Sequence, residues 1–496
     1  MLSHSCGIVL PVFIWPPVGV ATAIELRQDH LAAIRHRGIP VPTYDRRRLA
    51  PRIVHVGVGG FHRAHLAVYA HELATAGGDW GIVGLGLLAH DAEMGDALTR
   101  QDFLYTLIEK GNGEPAAEVI GSIVGFVHAP PGQDAAVAEL IAAPATAILS
   151  LTVTEAGYAE PSSAGERTTF DRIAAALAAR RDLDAGPLTI LSCDNLQSNG
   201  AAARAATLAA AARVDDRLPG WVQEQCSFPS SMVDRITPAT ADADRAWLRD
   251  RAGINDGWPV VAEPFRQWVV EDTFAAGRPA FEDAGALFTD RVHDWELYKL
   301  RLLNAGHSCM AYLSALAGIT FVHEAMAVPA VRRFLEDLLQ QEAVPTLVAI
   351  PGHPRERYVA SVLERFANGG VRDQIARLCL DGSAKFPTFL IPTVVAQLEL
   401  GGPVERAATA LAGWARYLGV VDPADQAFDA GAETARHHAA AAVADPAAFL
   451  EYDAVFPPAV RESARFRAAF VERYRTIAEA GPVAAMEQQT LAGESP

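Results

Sequence analysis

The feature that most constrains the fold is a strand, a glycine turn and a helix that follow one another between residues 52 and 74. Ile53-Val54-His55-Val56 is a β-branched run typical of a buried strand, Gly57-Val58-Gly59-Gly60 is a turn, and residues 61–74 have the apolar spacing of an amphipathic helix. A second apolar run at residues 81–88 completes a βαβ unit. Because such crossovers are right-handed, the turn is predicted to lie at the carboxyl edge of a parallel sheet.

Apolar patterning divides the chain into two unlike halves. Residues 147–154 and 188–193 are predicted to be buried strands, with an alanine-rich helix at residues 170–180 between them. Apolar positions at three-and-four spacing then predict helices at residues 330–341, 355–367, 404–418 and 461–480. We therefore expect an α/β protein, with a Rossmann-type doubly wound domain over residues 50–290 and a predominantly α-helical domain over residues 291–496.

Residues 1–49 are predicted to form a partly disordered N-terminal extension. Residues 8–23 are apolar and end in Ala-Thr-Ala, as a secretory signal does, but no Lys or Arg precedes them and three prolines interrupt the helix that a signal needs. The five cysteines are scattered, without a C-x-x-C pair, which favours a reducing compartment. No later apolar run is long enough to span a bilayer, so we expect a cytoplasmic protein.

The charge of the chain limits its partners. The 496 residues carry a formal net charge of −17, and no stretch dense in Lys and Arg reverses it locally. Such a surface repels phosphate backbones and is not attracted to anionic membranes. We expect a small-molecule substrate, no nucleic-acid or membrane partner, and a monomer or small homo-oligomer.

The glycine turn is a candidate dinucleotide site. Gly57 and Gly59 would let the backbone approach a pyrophosphate, although His62 stands where the G-x-G-x-x-G pattern has its third glycine, and a purely structural turn is the alternative. The acid that reads the ribose should follow the second strand, where Asp91 is the first carboxylate. This favours NAD without excluding NADP, and a solvated loop aspartate is the alternative for Asp91.

Residues 295–308 are the segment richest in chemical groups. On a helical wheel at about 100° per residue with Lys299 at 0°, Glu296 falls at about 60°, His307 at about 80° and Asn304 at about 140°. A desolvated lysine could take an alcohol proton while an amide donates to the oxygen that becomes a carbonyl. The alternative is a surface helix in which Glu296 and Lys299 form an i,i+3 ion pair and His307 is a core residue.

Several blocks in order resemble the polyol-specific long-chain dehydrogenase/reductase family over about residues 50–480. They are Gly57-Val-Gly-Gly-Phe-His-Arg-Ala-His65, Gln101-Asp-Phe-Leu-Tyr-Thr-Leu107, Thr152-Val-Thr-Glu-Ala-Gly-Tyr158, Asp194-Asn-Leu196, Phe228-Pro-Ser-Ser-Met-Val-Asp-Arg-Ile-Thr-Pro238, Lys299-x4-Asn304-x2-His307, and Arg377-Leu-Cys-Leu-Asp-Gly-Ser-Ala-Lys385 with Phe386-Pro387. The sequence departs from the family at Ser230 and Leu66, and at Asn368-Gly369-Gly370 in place of an Asn-Pro pair. None of these departures removes a catalytic group.

The resemblance implies a metal-independent NAD(P)-dependent polyol dehydrogenase that oxidises a polyol to a ketose, with D-mannitol and D-fructose as the expected pair. It implies that Lys299 is the general acid/base and that Glu296 relays its proton to solvent. Asn195 and Asn304 would form the oxyanion hole, and His307 would position the substrate. The implied cofactor residues are Gly57, Gly59, Gly60, Phe61, Arg63, Asp91 and Glu155, and the implied substrate residues are Asp234, Arg377 and Lys385.

Other functions remain open from the sequence. A hexuronate reductase of the fructuronate or tagaturonate kind would use Arg377 or Lys385 for a carboxylate, and D-arabinitol is a competing polyol. A non-catalytic nucleotide-sensing protein would be expected to lack one of the four polar groups Lys299, Asn195, Asn304 and His307, yet all are present. At single residues, Asp194-Asn195 could be an ordinary turn, and Arg377 could form an i,i+4 bridge with Asp373.

Overall fold

A six-stranded parallel sheet organises the first half of the computed structural model, which describes residues 23–159 and 167–491. Its strands are β1 (Ala50–Val56), β2 (Trp80–Gly86), β3 (Ile123–His128), β4 (Ile148–Leu151), β5 (Leu188–Ser192) and β6 (Cys226–Ser227). They lie in the order 3-2-1-4-5-6, which is the order of the Rossmann fold. The chain order reverses between β1 and β4, and the glycine turn leaves β1 at that switch point.

Side chains of β1 alternate between the two faces of this sheet. Val54 and Val56 pack into a cluster with Leu149, while Ile53 packs on the opposite face with Leu66. Both faces are buried, which explains why the strand is a nearly continuous apolar run. The polar residue His55 is fully buried and hydrogen-bonds to Ser150 and Thr152 on the adjoining strand and its end.

Three smaller sheets extend the first half. The strands Ile24–Glu25 and Ile254–Asn255 pair in parallel, Tyr105–Glu109 lies between Val260–Ala262 and Ala116–Ile120, and Gln267–Val270 lies between Ser231–Asp234 and Leu287–Phe288. The first of these sheets attaches residues 23–49 to the core, because its strand Ile24–Glu25 pairs with Ile254–Asn255. Leu26 and Ile34 are buried in one cluster with Ile254. Residues 23–49 are thus an ordered part of the fold, whereas residues 1–22, the rest of the predicted extension, lie outside the described part of the chain.

Helices cover the large sheet and form most of the second half. In the first half the α-helices are Leu31–His36, Gly60–Ala64, Leu66–Thr75, Asp91–Arg100, Asp134–Ile141, Thr169–Asp182, Asn199–Val214, Leu218–Gln225 and Asp242–Trp247, with 3-10 turns at Gln28–His30, Arg46–Arg48, Glu155–Tyr158 and Phe281–Ala284 and a π turn at Leu248–Ala252. In the second half they are Val292–Tyr298, Ala305–Leu316, Val322–Ala327, Pro329–Asp337, Arg355–Phe366, Ile375–Leu378, Gly382–Phe389, Ile391–Leu400, Glu405–Val420, Ala432–Ala442, Pro458–Arg461, Ala464–Ala480 and Pro482–Leu491, with π turns at Lys299–Asn304 and Leu338–Ala343 and 3-10 turns at Val344–Thr346 and Pro446–Glu451. The predicted fold class, a Rossmann-type domain followed by a mainly helical one, is confirmed.

Some predicted elements differ in detail. The helix predicted at residues 61–74 is broken at His65, whose φ of −124° and ψ of −94° leave the helical region while its Nε2 contacts the Gln267 carbonyl at 2.9 Å. The helix predicted from residue 461 begins at Ala464, where the Ser463 side chain accepts from the Phe466 N–H. The strand predicted at residues 147–154 ends at Leu151, because the chain turns there toward the glycine turn.

Glu342 gives the helical half a distinctive pH dependence. This buried carboxylate accepts the backbone N–H groups of Arg406 (2.8 Å) and Ala407 (2.9 Å) at the start of the Glu405–Val420 helix. Burial raises the pKa of Glu342 to about 7. The pKa of Glu342 is higher in the folded protein than in the unfolded chain. Its contribution to folding stability therefore falls as the pH rises from about 4.5 to about 7 and is constant above that pH.

Glu342→Gln is therefore expected to remove this loss. The difference in thermal midpoint, variant minus wild type, should be larger at pH 8 than at pH 5, as measured by tryptophan fluorescence. Glu405→Gln, at the half-exposed first residue of the same helix, is the matched control and should show a smaller trend, because it removes one charge that raises the pKa of Glu342 but leaves the buried Glu342 carboxylate in place. An equal difference for Glu342→Gln at both pH values would contradict the prediction.

Candidate active site

A cleft of about 1190 Å³ lies between the carboxyl edge of the parallel sheet and the helical half. The first half contributes the glycine turn, Asn195 and Asp234, and the second half contributes Lys299, Asn304 and His307. The cleft is large enough for a drug-sized ligand and more, since ligand sites usually span about 300–1,000 Å³. The groups predicted on separate parts of the chain are thus brought to one place.

The glycine turn depends on Gly57. Its φ is +87°, and a Cβ built there would overlap the Thr152 carbonyl, so no other residue fits without strain. The Thr152 hydroxyl donates to the Gly57 carbonyl at 2.6 Å, and His55 Nε2 contacts the Thr152 hydroxyl at 2.9 Å. These contacts anchor the turn to the strands beneath it.

His62, which replaces the third glycine of the common pattern, faces the protein interior. Its ring stacks on that of His55 with centroids 3.4 Å apart, and the side chain is buried. Burial lowers the pKa of both imidazoles, that of His55 to about 3, so both are neutral. The substitution therefore fills the space below the turn and leaves the cleft side unchanged.

The residues of the turn fit a dinucleotide. Gly57, Gly59, Gly60 and Phe61 all line the cleft. A Cβ at Gly59 would meet only the Gly57 carbonyl, at 3.8 Å, so this stretch of backbone is open to close approach by a ligand. An open glycine backbone at the switch point of a 3-2-1-4-5-6 sheet is the arrangement that accepts a pyrophosphate.

The other three predicted cofactor residues do not line the cleft. Arg63 is buried and donates to the Trp258 carbonyl at 2.6 Å, with its guanidinium over the Tyr105 ring. Asp91 closes its own loop, since its Oδ2 accepts the Leu88 N–H at 2.9 Å. Glu155 is exposed at the start of a 3-10 turn after β4. Internal hydrogen bonds occupy the Arg63 guanidinium and one carboxylate oxygen of Asp91. The roles of these residues toward a cofactor therefore stay predictions.

The helix that carries the central polar groups contains a π turn. It runs as Val292–Tyr298, then as a π turn over Lys299–Asn304, and continues as Ala305–Leu316. A π turn has i→i+5 hydrogen bonds and rotates less per residue than an α-helix. Asn304 and His307 consequently lie closer in azimuth to Lys299 than the uniform α-helical wheel predicted, and all three face the cleft.

Lys299 is held by two acceptors. Its Nζ donates to the Asn195 Oδ1 at 2.6 Å and to the Val233 carbonyl at 2.7 Å. Burial lowers the pKa of Lys299, the Asp234 carboxylate opposes that change, and the Arg365 guanidinium adds to it. The lysine therefore loses its proton more readily than a solvated lysine does.

Asn195 is positioned by the residue before it. The buried Asp194 carboxylate accepts the Thr154 N–H at 2.7 Å and the Tyr158 hydroxyl at 2.8 Å, which fixes the loop after β5. Because the Asn195 Oδ1 accepts from Lys299, its amide N–H₂ is directed elsewhere and can donate to a ligand. Asp194-Asn195 is thus a turn that also places an amide side chain in the cleft.

His307 presents a neutral imidazole. Its ring stacks on Phe366 at 4.0 Å, and burial lowers the pKa of His307 to about 3. Its Nε2 is buried without a hydrogen-bond partner among the described residues, which leaves this atom for a ligand. Asn304 lines the cleft one turn earlier on the same helix.

Glu296 lies behind Lys299 and away from the main cleft. Its Oε1 accepts the Ser198 N–H at 3.0 Å, its Oε2 lies 3.4 Å from His293 Nδ1, and burial raises the pKa of Glu296. Glu296 and Lys299 both line a second cavity of about 30 Å³, which has room for water. Glu296 is therefore a buried carboxylate beside a water-sized space, not the salt-bridged surface residue of the alternative interpretation.

A buried ion triad adjoins the site and includes a residue that the sequence did not single out. Arg365 donates to both oxygens of Asp234 (2.7 and 2.9 Å) and to both oxygens of Glu263 (2.7 and 3.0 Å). All three side chains are buried. The only sequence signal for Arg365 is an arginine within the apolar face of the Arg355–Phe366 helix, where a buried charge requires a partner.

The predicted substrate residues differ in placement. Asp234 and Arg377 line the cleft, and Arg377 also forms the expected i,i+4 bridge with Asp373. Lys385 does not line it, because its Nζ is directed to the Leu378 carbonyl at 3.3 Å. Burial lowers the pKa of Lys385, and the positive charge of Arg377 adds to this.

The described residues include neither a candidate metal site nor a membrane-spanning helix. No group of three or more His, Cys, Asp or Glu side chains in residues 23–159 and 167–491 could hold a metal ion. Within the same residues, every helix is too short or too polar to cross a membrane.

The sheet order and the open glycine turn suit a dinucleotide cofactor, and the lysine and amides in the cleft suit the oxidation of a CH–OH group, which is the chemistry of an oxidoreductase. The sequence profile of the mannitol dehydrogenase Rossmann domain matches residues 51–283, and that of the mannitol dehydrogenase C-terminal domain matches residues 291–478. The chain belongs to the mannitol dehydrogenase family. The family resemblance noted from the sequence is thereby confirmed.

Relatives and solved structures agree with this membership. The chain is 40% identical to mannitol 2-dehydrogenase of Phaeosphaeria nodorum over 488 residues, which cover 94% of this chain and 85% of that protein. It is 40% identical to mannitol dehydrogenase 2 of Saccharomyces cerevisiae over 475 residues, covering 91% and 94%. The ternary complex of Pseudomonas fluorescens mannitol 2-dehydrogenase with NAD and D-mannitol has a TM-score of 0.81 and 37% identity, covering 95% of this chain and 100% of that one. A substrate-free D-sorbitol dehydrogenase has a TM-score of 0.85 and 32% identity, covering 93% and 100%.

Two alanine substitutions in the glycine turn should behave differently. Gly57→Ala is expected to lower both the thermal midpoint and the affinity for NADH, because φ is positive and the new Cβ meets the Thr152 carbonyl. Gly59→Ala should keep the wild-type midpoint, because its methyl group overlaps no protein atom. It should weaken NADH binding alone, because the methyl group would enter the part of the cleft where the pyrophosphate is expected. Fluorescence titration with NADH and thermal unfolding measure the two effects. Wild-type NADH affinity in both variants would remove the turn from the cofactor site.

Proposed function

We propose that the protein catalyses the NAD-dependent oxidation of D-mannitol to D-fructose and the reverse reduction. The observation that carries this proposal is the Lys299–Asn195 contact of 2.6 Å in a cleft that the glycine turn also lines. Support comes from the relatives named mannitol 2-dehydrogenase and from the solved ternary complex of one with NAD and D-mannitol.

The cofactor would be held by the glycine turn and by the residue that follows it. Gly57, Gly59 and Gly60 offer open backbone to the pyrophosphate, and Phe61 lines the cleft beside them. When bound, NAD⁺ accepts the hydride from C2 of the polyol, and NADH returns it to the ketose. The protein must then manage the proton of the hydroxyl group.

Lys299 is the proposed acid/base. A neutral amine has two N–H donors and one lone pair, and the Asn195 Oδ1 and Val233 carbonyl take both donors. The lone pair is left to accept the C2 hydroxyl proton during oxidation, and the resulting ammonium donates it back during reduction. The lowered pKa of Lys299 makes the amine available closer to neutral pH.

The amides of Asn195 and Asn304 are proposed to stabilise the reacting oxygen. Asn195 presents its N–H₂ because Lys299 occupies its Oδ1, and Asn304 faces the same cleft. His307, which is neutral, would orient the substrate through its free Nε2. Asp234 and Arg377 are proposed to bind further hydroxyl groups, with Lys385 supporting Arg377 from behind.

Glu296 is proposed to pass the proton between Lys299 and solvent. The water-sized cavity that both residues line gives a path for the proton. No ion pair joins the two among the described residues, since Glu296 is bound to the Ser198 N–H and lies against His293. The carboxylate can therefore exchange protons through water without holding Lys299 permanently as an ammonium.

We further propose a cytoplasmic monomer or small homo-oligomer with no nucleic-acid partner, divided near residue 290. The net charge of −17 and the scattered cysteines support the location and the lack of nucleic acid. The change from a parallel sheet to helices after Leu287–Phe288 supports the boundary.

An absorbance assay at the nicotinamide band tests the substrate. Oxidation of D-mannitol, D-arabinitol and D-sorbitol and reduction of D-fructose and D-fructuronate should each be measured with both cofactors. D-Sorbitol is included because the structure also resembles a D-sorbitol dehydrogenase at a TM-score of 0.85. We expect D-mannitol with NAD to have the highest kcat/KM of the polyols. A higher kcat/KM for the oxidation of another polyol than for that of D-mannitol, or for the reduction of D-fructuronate than for that of D-fructose, would reassign the substrate.

Lys299→Ala should lower kcat by roughly a hundredfold or more, the usual contribution of a general base. NADH affinity should stay within about twofold of wild type, because the glycine turn is untouched. Stopped-flow turnover and NADH titration measure these two quantities. Turnover within about threefold of wild type at neutral pH would exclude Lys299 as the base.

Cofactor choice should depend on the loop after β2. Asp91 is expected to repel the 2′-phosphate of NADP, even though its Oδ2 also accepts the Leu88 N–H. Asp91→Ala combined with His90→Arg, at an exposed neighbouring position, should raise the ratio of kcat/KM with NADP to kcat/KM with NAD by about tenfold or more. His90→Arg alone is the control and should move the ratio less. A wild-type enzyme that prefers NADP would contradict the assignment.

A further inference from the structure

The contacts of Asp234 present a problem for a lysine base. Asp234 directly follows Val233, whose carbonyl accepts the Lys299 Nζ at 2.7 Å, and the Asp234 carboxylate attracts the lysine charge. A buried carboxylate beside a buried lysine would ordinarily form an ion pair with it. Such a pair would hold Lys299 as an ammonium, which cannot accept a proton.

Both oxygens of Asp234 are instead taken by Arg365. The two hydrogen bonds, from Nη1 at 2.7 Å and Nη2 at 2.9 Å, form a bidentate pair, the strongest geometry that a carboxylate has with arginine. The guanidinium is itself fixed, because Glu263 accepts from its Nε and Nη2 and the Phe265 ring lies 4.0 Å from it. Burial would raise the pKa of Asp234, and Arg365 more than offsets this, so the carboxylate stays ionised.

We propose that Arg365 is a positioning residue of the reaction: by holding both oxygens of Asp234, it keeps this carboxylate from pairing with Lys299 and leaves the lysine amine free to exchange the substrate proton. This inference rests on the proposed role of Lys299. The groups that act electrostatically on Lys299 are Asp234 from the Ser231–Asp234 strand, Arg365 from the Arg355–Phe366 helix, and Glu296 from its own helix. Arg365 thus acts twice, since it occupies Asp234 and also repels a charged Lys299.

The test is the pH profile of kcat/KM for polyol oxidation, which should rise with pH as Lys299 loses its proton. Arg365→Gln frees Asp234 to pair with Lys299, so the midpoint of the profile should move up by about one pH unit or more. The loss of activity relative to wild type should accordingly be largest near pH 7 and should shrink toward pH 10. Arg365→Lys restores the charge and should bring the midpoint back toward wild type.

Two further variants separate this role from a structural one. Asp234→Asn removes the acid and leaves Arg365 bound to Glu263, so the midpoint should move down. Glu263→Gln disturbs the same triad but keeps the Asp234–Arg365 pair, and it should not move the midpoint up. Glu263 lies outside the cleft lining, which makes it the matched control.

The outcomes are decisive even where a variant folds poorly. A loss in Arg365→Gln that is the same at every pH, or an upward shift in Glu263→Gln equal to that of Arg365→Gln, would overturn the inference. If Arg365→Gln does not fold, as judged by circular dichroism, an unchanged or raised midpoint in Asp234→Asn overturns it instead. Lys299→Ala keeps the two proposals apart: substantial activity in that variant refutes the proposed base, whereas an inactive Lys299→Ala with an unmoved Arg365→Gln profile refutes only the role of Arg365.

Discussion

The active site depends on one buried guanidinium, that of Arg365, which the helical half inserts between two carboxylates of the sheet half. Removing one partner of a buried ion pair costs about 3–5 kcal/mol, whereas replacing the whole group by apolar residues is often neutral. The triad is therefore better explained by the way it positions neighbouring groups than by a gain in folding stability. It sets the position of the strand that ends at Asp234, and the carbonyl before Asp234 is one of the two acceptors that orient Lys299.

Burial keeps three histidines around the site uncharged. Burial lowers the pKa values of His55, His65 and His307 to about 3. These imidazoles remain neutral at the pH of ordinary assays, so they add no charge beside the cofactor turn or the substrate. These three imidazoles are therefore not the source of a change in activity near neutral pH.

The sequence predicted those parts of the site that depend on local rules. β1 and its glycine turn follow from β-branched residues and from a glycine that must adopt positive φ, and the family blocks singled out Asn195, Asn304 and His307, all of which line the cleft. The π turn at Lys299–Asn304 was not predictable, because a wheel assumes uniform rotation and the insertion is set by tertiary packing. Arg365 was missed for a related reason: its partners, Asp234 and Glu263, lie more than a hundred residues away in the chain.

Charge pairing around the cleft also bears on the class of substrate. Among the described residues that line it, Arg377 is bound to Asp373, Lys110 to Asp244 and Arg235 to Glu109. The charge of each of these cations is already neutralised, although N–H donors remain, so a hexuronate carboxylate would have to displace one of the acids to gain a full ion pair. Arg372 remains available at the rim, but it lies over the Phe321 ring and is exposed, where an ion pair is worth little. A polyol requires no displacement, because its hydroxyl groups can donate to the paired carboxylates and accept from the paired cations at once. The pairing of charges therefore favours a neutral polyol over an anionic sugar.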